Sequence, residues 1–129
     1  MEASSTTAKD YKWTVFHQPS TKFPQRVAGQ LGFSPGQIQP GLLVPVIGNT
    51  YAGAAMIGLT ATLDIAAPGD RILVVSFGSG AGSDAFDILV TDKLSARRDR
   101  ATKTQDYIAR RTEIDYATYV RYRGKLQMK

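Results

Sequence analysis

Residues 50–77 read T-Y-A-G-A-A-M-I-G-L-T-A-T-L-D-I-A-A-P-G-D-R-I-L-V-V-S-F, and the main fold signals of the chain lie in these residues. Residues 50–66 carry no charge before Asp64, so a helix there is apolar nearly all round and has to be buried. Residues 71–77 are apolar and rich in β-branched side chains, which predicts a strand covered on both faces. A buried helix followed by a buried strand is typical of a layered α/β fold.

The buried helix contains two glycines, Gly53 and Gly58. Each costs a helix about 1 kcal/mol relative to alanine. We expect this cost to be offset by close packing of the helix against other backbone.

The segment before this stretch predicts a strand, a helix and a loop. Residues 11–17 favour the strand. A helix capped by Ser20 and closed by Gly32 follows, and its apolar stripe consists of Phe23, Val27 and Leu31. The Pro and Gly content of residues 34–41 predicts a loop. Residues 42–47 include a proline, which favours an edge strand or plain extended chain.

Beyond the stretch, residues 84–91 alternate in polarity and predict a second strand, joined to the first through a Gly-rich hairpin turn. Residues 95–112 are charged and predict a surface helix. Residues 113–124 place Tyr and Val at helical spacing, although those residue types also suit a strand. So few elements cannot cover the apolar helix, and we infer that another polypeptide does so.

The 129 residues suffice for one modest domain, with an irregular lead over residues 1–10, a core over residues 11–92 and a basic extension over residues 93–129. The core side, residues 1–92, carries five Lys/Arg and seven Asp/Glu, whereas the extension carries eleven and four. The net charge of +5 therefore comes from the extension. Its basic residues and tyrosines could indicate nucleic-acid binding, but four interrupting acids favour a solvated face.

Several function classes are excluded by composition. The chain has no cysteine, which rules out disulfides, thiolate metal sites and a cysteine nucleophile within it, and one histidine with scattered carboxylates predicts no metal site. No apolar run reaches the roughly 18 residues of a membrane span, and the first ten residues lack a secretory pattern. We therefore expect a cytoplasmic protein that binds neither membrane nor nucleic acid.

Three motifs carry chemistry: F-H-Q-P-S-T-K at residues 16–22, G-N-T-Y-A-G-A at residues 48–54 and S-F-G-S-G-A-G-S-D at residues 76–84. A histidine, an asparagine and a glycine-rich turn, in that order, are parts of an acyl-transfer site. The imidazole can donate a hydrogen bond to a developing oxyanion or relay a proton, and the asparagine amide can donate to a thioester oxygen. The nucleophilic cysteine that they would serve is absent. The chain thus contains half of an active site.

Each of these residues also has a plain structural interpretation. His17 can be an ordinary structural or surface histidine. Asn49 can be a helix N-cap, and the capping and amide-donor roles can coexist if Thr50 does the capping. The turn that begins Gly78-Ser79 can bring backbone close to an acyl group or can be a flexible hairpin; it is no phosphate loop, because a strand follows and no Lys-Ser/Thr pair is present. Lys22 can meet a phosphate or be solvated.

Taken together, the motifs resemble the C-terminal half of the thiolase-like acyl-CoA condensing enzymes, and within them the archaeal-type 3-hydroxy-3-methylglutaryl-CoA synthases. The resemblance covers roughly residues 10–125 and includes I-L-V-V-S-F-G-S-G-A-G-S-D-A-F and the ending Y-A-T-Y-V-R-Y-R-G-K. It implies an α/β fold that forms the second half of a five-layered αβαβα arrangement, incomplete without the first half.

The resemblance also implies a function. Enzymes of this family condense acetyl-CoA with acetoacetyl-CoA, without a further cofactor, and release HMG-CoA and free CoA for the mevalonate route to isoprenoids. By the same resemblance, His17 contacts the acetoacetyl thioester and Asn49 positions the acyl carbonyl. Lys22 reaches the CoA, and Gly78 with Ser79 lies at the acyl pocket.

The first half, with its cysteine and glutamate, is missing from the chain, so we expect a fragment or a split enzyme, and Met1 resembles an internal methionine near a helix end. The implied partners are a Cys-bearing N-terminal half or full synthase subunits, together with acetoacetyl-CoA thiolase and an accessory bridging protein. Two other hypotheses stay open: a non-catalytic module that holds CoA or a protein, and a nucleic-acid-binding domain led by the basic extension.

Overall fold

A computed structural model describes residues 5–80 and 82–125, and a sheet lies at the centre of this part of the chain. The sheet consists of neighbouring strands in the order β1 (Trp13–Phe16), β2 (Arg71–Gly78) and β3 (Gly82–Leu89). Strands β1 and β2 are parallel, with Val15 opposite Val74, whereas β2 and β3 form an antiparallel hairpin with Val74 opposite Phe86. A parallel pair requires a long crossover, which the chain between β1 and β2 provides.

Helices occupy this crossover and follow the hairpin. The α-helices of the described residues are α1 (Lys22–Gln30), α2 (Pro35–Ile38), α3 (Val44–Ile47), α4 (Ala54–Leu63), α5 (Thr104–Ala109) and α6 (Tyr116–Tyr122). Single 3-10 turns lie at Ala8–Asp10, Gln39–Gly41, Tyr51–Gly53, Asp92–Leu94 and Arg98–Arg100.

Helices cover both faces of the sheet at β1 and at the first half of β2, whereas β3 and the end of β2 are largely exposed, so the prediction that residues 71–77 are covered on both faces holds only for their first half. Neighbouring side chains of a strand point to opposite faces, so Val15 and Phe16 belong to different core clusters. The first cluster lies under α4 and consists of Val15, Ala55, Ala66, Ile72, Val74 and Val90. The second lies under α1 and α2 and consists of Ala8, Tyr11, Phe16, Ala28, Phe33, Ile38 and Leu73. The result is a helix–sheet–helix layering, which confirms the predicted α/β class.

Helix α4 packs against other backbone at Gly58, as predicted, but not at Gly53, where an added Cβ would meet only Ile57 Cδ1 at 4.0 Å. A Cβ atom added at Gly58 would lie 2.8 Å from the Gly41 carbonyl oxygen and 2.8 Å from Val15 Cγ1. The hydroxyl of Thr62, which is fully buried, donates to the Gly58 carbonyl oxygen at 2.9 Å. The helix therefore approaches its neighbours at a distance that only glycine allows.

The helix predicted over residues 50–66 is shorter than expected and is not buried all round. Its α-helical part is Ala54–Leu63, after the 3-10 turn at Tyr51–Gly53. The face on the sheet is buried, whereas Met56 on the outer face is 62% exposed. This exposed face agrees with the prediction that the chain by itself leaves apolar surface of the helix uncovered.

Two predictions for the crossover are wrong. Residues 34–41 form α2 and a 3-10 turn rather than a loop, because Ser34 and Gln37 make a reciprocal capping box around the first turn. Residues 42–47 end in α3 rather than in extended chain, because Pro45 occupies the first helical turn, where a missing N–H costs nothing.

The apolar stripe predicted for the first helix is wrong at two of its three positions, because only Val27 packs against the second cluster. Phe23 and Leu31 are exposed, and the residues that α1 buries are Pro24 and Ala28. The helix begins at Lys22, after Thr21 rather than Ser20 as the capping residue. Its predicted end is confirmed, because Gly32 follows the helix with φ at +84°, a conformation that favours glycine.

The basic extension contains no continuous surface helix over residues 95–112, contrary to the prediction. It forms short turns and the six-residue α5, and the chain is held to α4 by polar contacts instead. The Arg98 guanidinium donates to the Ala66 carbonyl oxygen, and the Thr104 N–H donates to an Asp64 carboxylate oxygen at 2.7 Å. The helical interpretation of residues 113–124 is confirmed by α6.

The irregular lead predicted over residues 1–10 differs from the structure at its end. Residues 8–10 form a 3-10 turn, and Ala8 is buried in the second cluster. The prediction for Met1 lies outside the described residues.

Candidate functional site

The candidate site lies at the carboxyl ends of the two parallel strands. Because these strands run in the same direction, residues that follow them meet at one edge of the sheet. His17 follows β1 and donates its backbone N–H to the Val75 carbonyl oxygen of β2 at 2.8 Å. Gly78 ends β2, and Ser79 comes next in the chain. Three predicted site residues thus stand at this edge.

The His17 imidazole packs beside an aromatic ring and keeps one nitrogen unpaired. The ring centroids of His17 and Phe77 are 5.8 Å apart at an interplanar angle of 54°. Nδ1 is buried and has no hydrogen-bond partner within the described residues. A buried polar atom without a partner costs about 1–3 kcal/mol, so a partner from outside this part of the chain is expected.

Asn49 makes a local turn with half of its amide. Its Oδ1 accepts the Tyr51 N–H at 2.7 Å, and Tyr51 has φ at +52°, a left-handed conformation that is strained for a non-glycine residue. Thr50 provides no capping hydrogen bond, so the suggestion that it does the capping is wrong. Since the local bond uses Oδ1, Nδ2 of the exposed Asn49 side chain keeps its two donors for a ligand.

Two sets of contacts bring Asn49 to the same edge as His17. The Tyr51–Gly53 turn, two residues after Asn49, contacts β2. The buried Gln18 side chain donates from Nε2 to the Ala54 carbonyl oxygen at 3.4 Å, which ties the start of α4 to the end of β1. His17 and Asn49 are therefore attached to neighbouring backbone.

The other predicted residues are placed nearby but are not joined to this pair. Lys22 is the first residue of α1 and is exposed, and it lines a shallow cavity of about 500 Å³. Ser79 lies exposed in the hairpin turn, where Gly78 pairs with Gly82. No hydrogen bond, ion pair or ring contact among the described residues links Lys22 or Ser79 to His17. Their predicted roles stay predictions, and so does the choice between an acyl-binding and a plain hairpin turn.

Sequence reasoning missed Gln18. This residue is 3% exposed, and its amide makes four hydrogen bonds to backbone groups. The signal was weak, because its partners come from separate parts of the crossover. Its position directly after His17 was the sole hint.

The opposite end of the strand pair is closed by charge. The Arg71 guanidinium donates to both carboxylate oxygens of Asp87, at 2.8 and 2.6 Å, and this bond holds the pKa of Asp87 below its usual range. The Tyr11 hydroxyl donates to the same carboxylate at 3.1 Å. The hydrogen bonds between Arg71 and Asp87 also raise the pKa of Arg71. These groups stabilise the fold and lie away from the candidate site.

No helix in the described ranges is long and apolar enough to cross a membrane. Within the same ranges, no three acidic or histidine side chains are grouped so as to hold a metal ion.

Comparison with known proteins identifies the family. The family model for the C-terminal domain of 3-oxoacyl-[acyl-carrier-protein] synthase III matches residues 1–88. The chain belongs to this family. Individual relatives agree with this family: a hydroxymethylglutaryl-CoA synthase from Methanocella arvoryzae is 56% identical over 126 residues, which is 98% of this chain and 36% of that protein. A synthase of the same name from Thermococcus kodakarensis is 55% identical over 125 residues.

The chain spans just over a third of the length of these curated relatives, 36% in both cases, and it matches their C-terminal part. The predicted resemblance to the C-terminal half of the archaeal-type synthases is thereby confirmed. The activity, substrates and partners of these relatives are properties of the longer proteins.

Solved structures show the same fold. PksG, an HMG-CoA synthase from Bacillus subtilis, superimposes with a TM-score of 0.72 at 17% identity, over 91% of this chain and 33% of that chain. The curacin biosynthetic pathway HMG synthase, solved in complex with an apo donor-ACP, gives a TM-score of 0.69 at 19% identity, with the same coverage of 91% and 33%. The predicted thiolase-like fold is confirmed, and the chain corresponds to about a third of it.

Proposed function

We propose that this chain is the C-terminal portion of a hydroxymethylglutaryl-CoA synthase. It supplies the His17 and Asn49 side of a site whose cysteine nucleophile and glutamate come from the remainder of the enzyme. The observation that carries the proposal is the unpaired His17 Nδ1 at the sheet edge to which Asn49 is also tied, in a chain 56% identical to such a synthase.

The two side chains suit the condensation of acetyl-CoA with acetoacetyl-CoA. An acyl group held on a cysteine of the missing portion needs donors for the oxygens that gain negative charge. We assign the acetoacetyl thioester to the His17 imidazole and the acyl carbonyl to Asn49 Nδ2. Each such donor typically contributes about 10²–10³-fold to turnover. The products are HMG-CoA and free CoA, which enter the mevalonate route.

The remaining predicted residues contribute binding rather than chemistry. Lys22 lies at the first turn of the nine-residue α1, where a cation and free backbone N–H groups suit a CoA phosphate. Gly78 and Ser79 border the acyl pocket from the end of β2. We infer that CoA esters are the substrates and that no further cofactor takes part.

The partner that completes the site docks on large apolar side chains that this chain leaves exposed. Large apolar side chains stand exposed on the outer face of α4 and on the hairpin: Met56, Phe77, Phe86 and Leu89. Those on the hairpin stand on both of its faces, because Phe86 lies opposite Val74 on the α4 side, whereas Phe77 and Leu89 belong to the alternate face. Exposed apolar surface beyond isolated side chains marks an interaction site. We propose that the Cys-bearing N-terminal portion covers it. Acetoacetyl-CoA thiolase and a bridging protein are further proposed partners of the assembled cytoplasmic enzyme.

A chimera tests this function. The N-terminal portion of the Methanocella arvoryzae synthase is fused to this chain at the start of their matched region. HMG-CoA formation from acetyl-CoA and acetoacetyl-CoA is measured for the chimera, for the chain alone and for the N-terminal portion alone. We expect turnover by the chimera and none by either part. The chain alone lacks the nucleophile, and the N-terminal portion alone lacks the oxyanion donors.

Two outcomes would contradict the proposal. HMG-CoA formation by the chain alone would show that its own residues suffice. A folded chimera that binds CoA without turning over would favour the alternative of a non-catalytic CoA-binding module.

A further inference from the structure

Gln18 occupies a buried position directly after His17, and its side chain makes hydrogen bonds in both directions. Nε2 donates to the carbonyl oxygens of Gly41 at 2.8 Å and Ala54 at 3.4 Å. Oε1 accepts the N–H groups of Leu43 at 2.7 Å and Val44 at 2.8 Å. We propose that Gln18 is a positioning residue that fixes His17 relative to Asn49, an inference that rests on the proposed function of that pair.

The amide of Gln18 has no alternative orientation. A glutamine side chain offers two donors and two acceptor lone pairs, and all of them are used here. Exchange of the oxygen and nitrogen would place the NH₂ group against two N–H groups and the oxygen against two carbonyl oxygens. Four bonds in a buried setting therefore hold the side chain in one geometry.

The partners of Gln18 lie on both sides of Asn49 in the chain. Leu43 and Val44 precede it at the start of α3, and Ala54 follows it at the start of α4. The intervening segment is thus held at both of its ends by one side chain. Since that side chain belongs to the residue next to His17, the two candidate oxyanion donors share a single anchor.

The packing around Gln18 is fitted to its amide. A Cβ atom at Gly58 would lie 3.1 Å from Gln18 Nε2, so the glycine of α4 leaves the room that the side chain uses. Asparagine is one methylene shorter and cannot span the same partners. Glutamate keeps the acceptor for Leu43 and Val44 but has no donor for the two carbonyl oxygens.

The chain contains a matched control in Gln37. Its Nε2 donates to the carbonyl oxygens of Ala8 at 2.9 Å and Tyr11 at 2.7 Å, and its Oε1 accepts from the Ser34 N–H at 2.8 Å and the Ser34 hydroxyl at 3.1 Å. This glutamine makes as many hydrogen bonds as Gln18, but it holds the amino end of β1, away from His17. Gln37 is half-buried whereas Gln18 is buried, so the two losses of stability can differ in size. A purely structural role predicts that neither substitution lowers kcat more than the other.

The experiment compares Gln18→Ala with Gln37→Ala in the chimeric synthase and in the 129-residue chain. We expect both variants to lower the free energy of unfolding. Gln18→Ala alone should lower kcat, by about 10²-fold, because small misplacement of catalytic groups has effects of this size. The Michaelis constants should change little. On top of the double substitution His17→Ala/Asn49→Ala, Gln18→Ala should cause no further loss of kcat, since its effect passes through these two residues.

Backbone amide exchange in the isolated chain gives a readout that does not depend on activity. Gln18→Ala should accelerate exchange at Leu43 and Val44 on the order of 10-fold to 100-fold, while Gln37→Ala leaves both unchanged. Should Gln18→Ala fail to fold, Gln18→Glu serves in its place, because it keeps the acceptor of these two N–H groups. Its amide exchange should stay slow and its kcat should still fall.

Equal kcat losses in the Gln18 and Gln37 variants, or a parental kcat in Gln18→Ala, would overturn the positioning role. An inactive parental chimera would instead contradict the proposed function. In that case the NMR shifts of the His17 ring and of Asn49 Nδ2 in the isolated chain decide the positioning role. Movement of both in Gln18→Ala but not in Gln37→Ala supports it, and movement of neither overturns it.

Discussion

At the amino end of β1 and β2, polar side chains bind one another, whereas at the carboxyl end the His17 imidazole keeps a buried nitrogen without a partner in the described residues. Trp13 Nε1 donates to Asp70 at 2.9 Å. Arg71 donates from Nε and Nη2 to the two carboxylate oxygens of Asp87. His17 Nδ1, at the other end, is buried and unpaired. One end of the strand pair is closed, and the other is open to a ligand or a further chain.

The groups that stabilise the fold and the groups that serve the candidate site therefore lie at opposite ends of the strand pair. A hydrogen bond made within the chain adds about 1 kcal/mol, whereas a buried atom without a partner costs about 1–3 kcal/mol. A fold keeps such a cost where the atom serves a function. Among the described residues, two other buried side-chain atoms are unpaired: Arg98 Nε belongs to a guanidinium already bound to Ala66, and nothing in the structure explains Thr14 Oγ1.

The largest effect is expected at the open end. In the chimeric synthase, His17→Ala and Asn49→Asp should each lower kcat by about 10²–10³-fold, as for other lost oxyanion donors. Asn49→Asp is informative because it keeps the acceptor for the Tyr51 N–H and removes the Nδ2 donors. Steady-state assays of CoA release provide the measurement.

The matched change at the closed end is Trp13→Phe, which removes the hydrogen bond to Asp70 but keeps an aromatic ring. It should leave kcat unchanged and lower the free energy of unfolding by about 1 kcal/mol. Parental turnover in Asn49→Asp would mean that Asn49 is a local turn residue, since aspartate caps as well as asparagine.

A smaller effect is expected where α4 crosses β1. Gly58→Ala should lower the free energy of unfolding by about 1–3 kcal/mol, because the new Cβ would lie 2.8 Å from both the Gly41 carbonyl oxygen and Val15 Cγ1. Gly29→Ala in α1 is the control, since a Cβ there meets nothing within 4 Å. It should raise stability by about 0.5–1 kcal/mol. Urea unfolding measures both, and a neutral Gly58→Ala would contradict the close packing.

The sequence predicted the parts of the molecule that depend on local pattern. The uncharged run before Asp64 and the β-branched residues 71–77 were sufficient to predict α4 and β2. The F-H-Q-P and G-N-T motifs were sufficient to single out His17 and Asn49. These signals are contiguous in the chain, so no knowledge of tertiary contacts was needed.

The parts that failed depend on contacts between distant residues or on a competing local signal. The capping box of Ser34 and Gln37 outweighed the Pro and Gly content of residues 34–41. The burial of Pro24 and Ala28 instead of the larger Phe23 and Leu31 follows from how α1 lies on the sheet. Gln18 finds partners up to 36 residues away, which no spacing rule reveals.

The smallest effect is expected from the ion pair at the closed end. Arg71 lowers the pKa of Asp87 in the folded chain, so the pair stabilises the fold above the ordinary aspartate pKa of about 3.9. This contribution is lost as the pH falls through the lowered pKa of Asp87. Both side chains are about one-third exposed, at 38% and 32%, so solvent screening keeps the effect small.

Asp87→Asn should therefore lower the melting temperature slightly at pH 7, and the difference from the parent should vanish as the pH falls below the range of ordinary carboxylates. Asp84→Asn, on the same strand and without an ion pair in the described residues, is the control and should leave the melting temperature at pH 7 unchanged. The measurement is thermal unfolding of the 129-residue chain between about pH 2 and pH 7, across the range in which carboxylates titrate. A difference that grows toward low pH would show that the Arg71–Asp87 pair does not stabilise this end, and the contrast between a closed and an open end would then rest on Trp13 and Gln37.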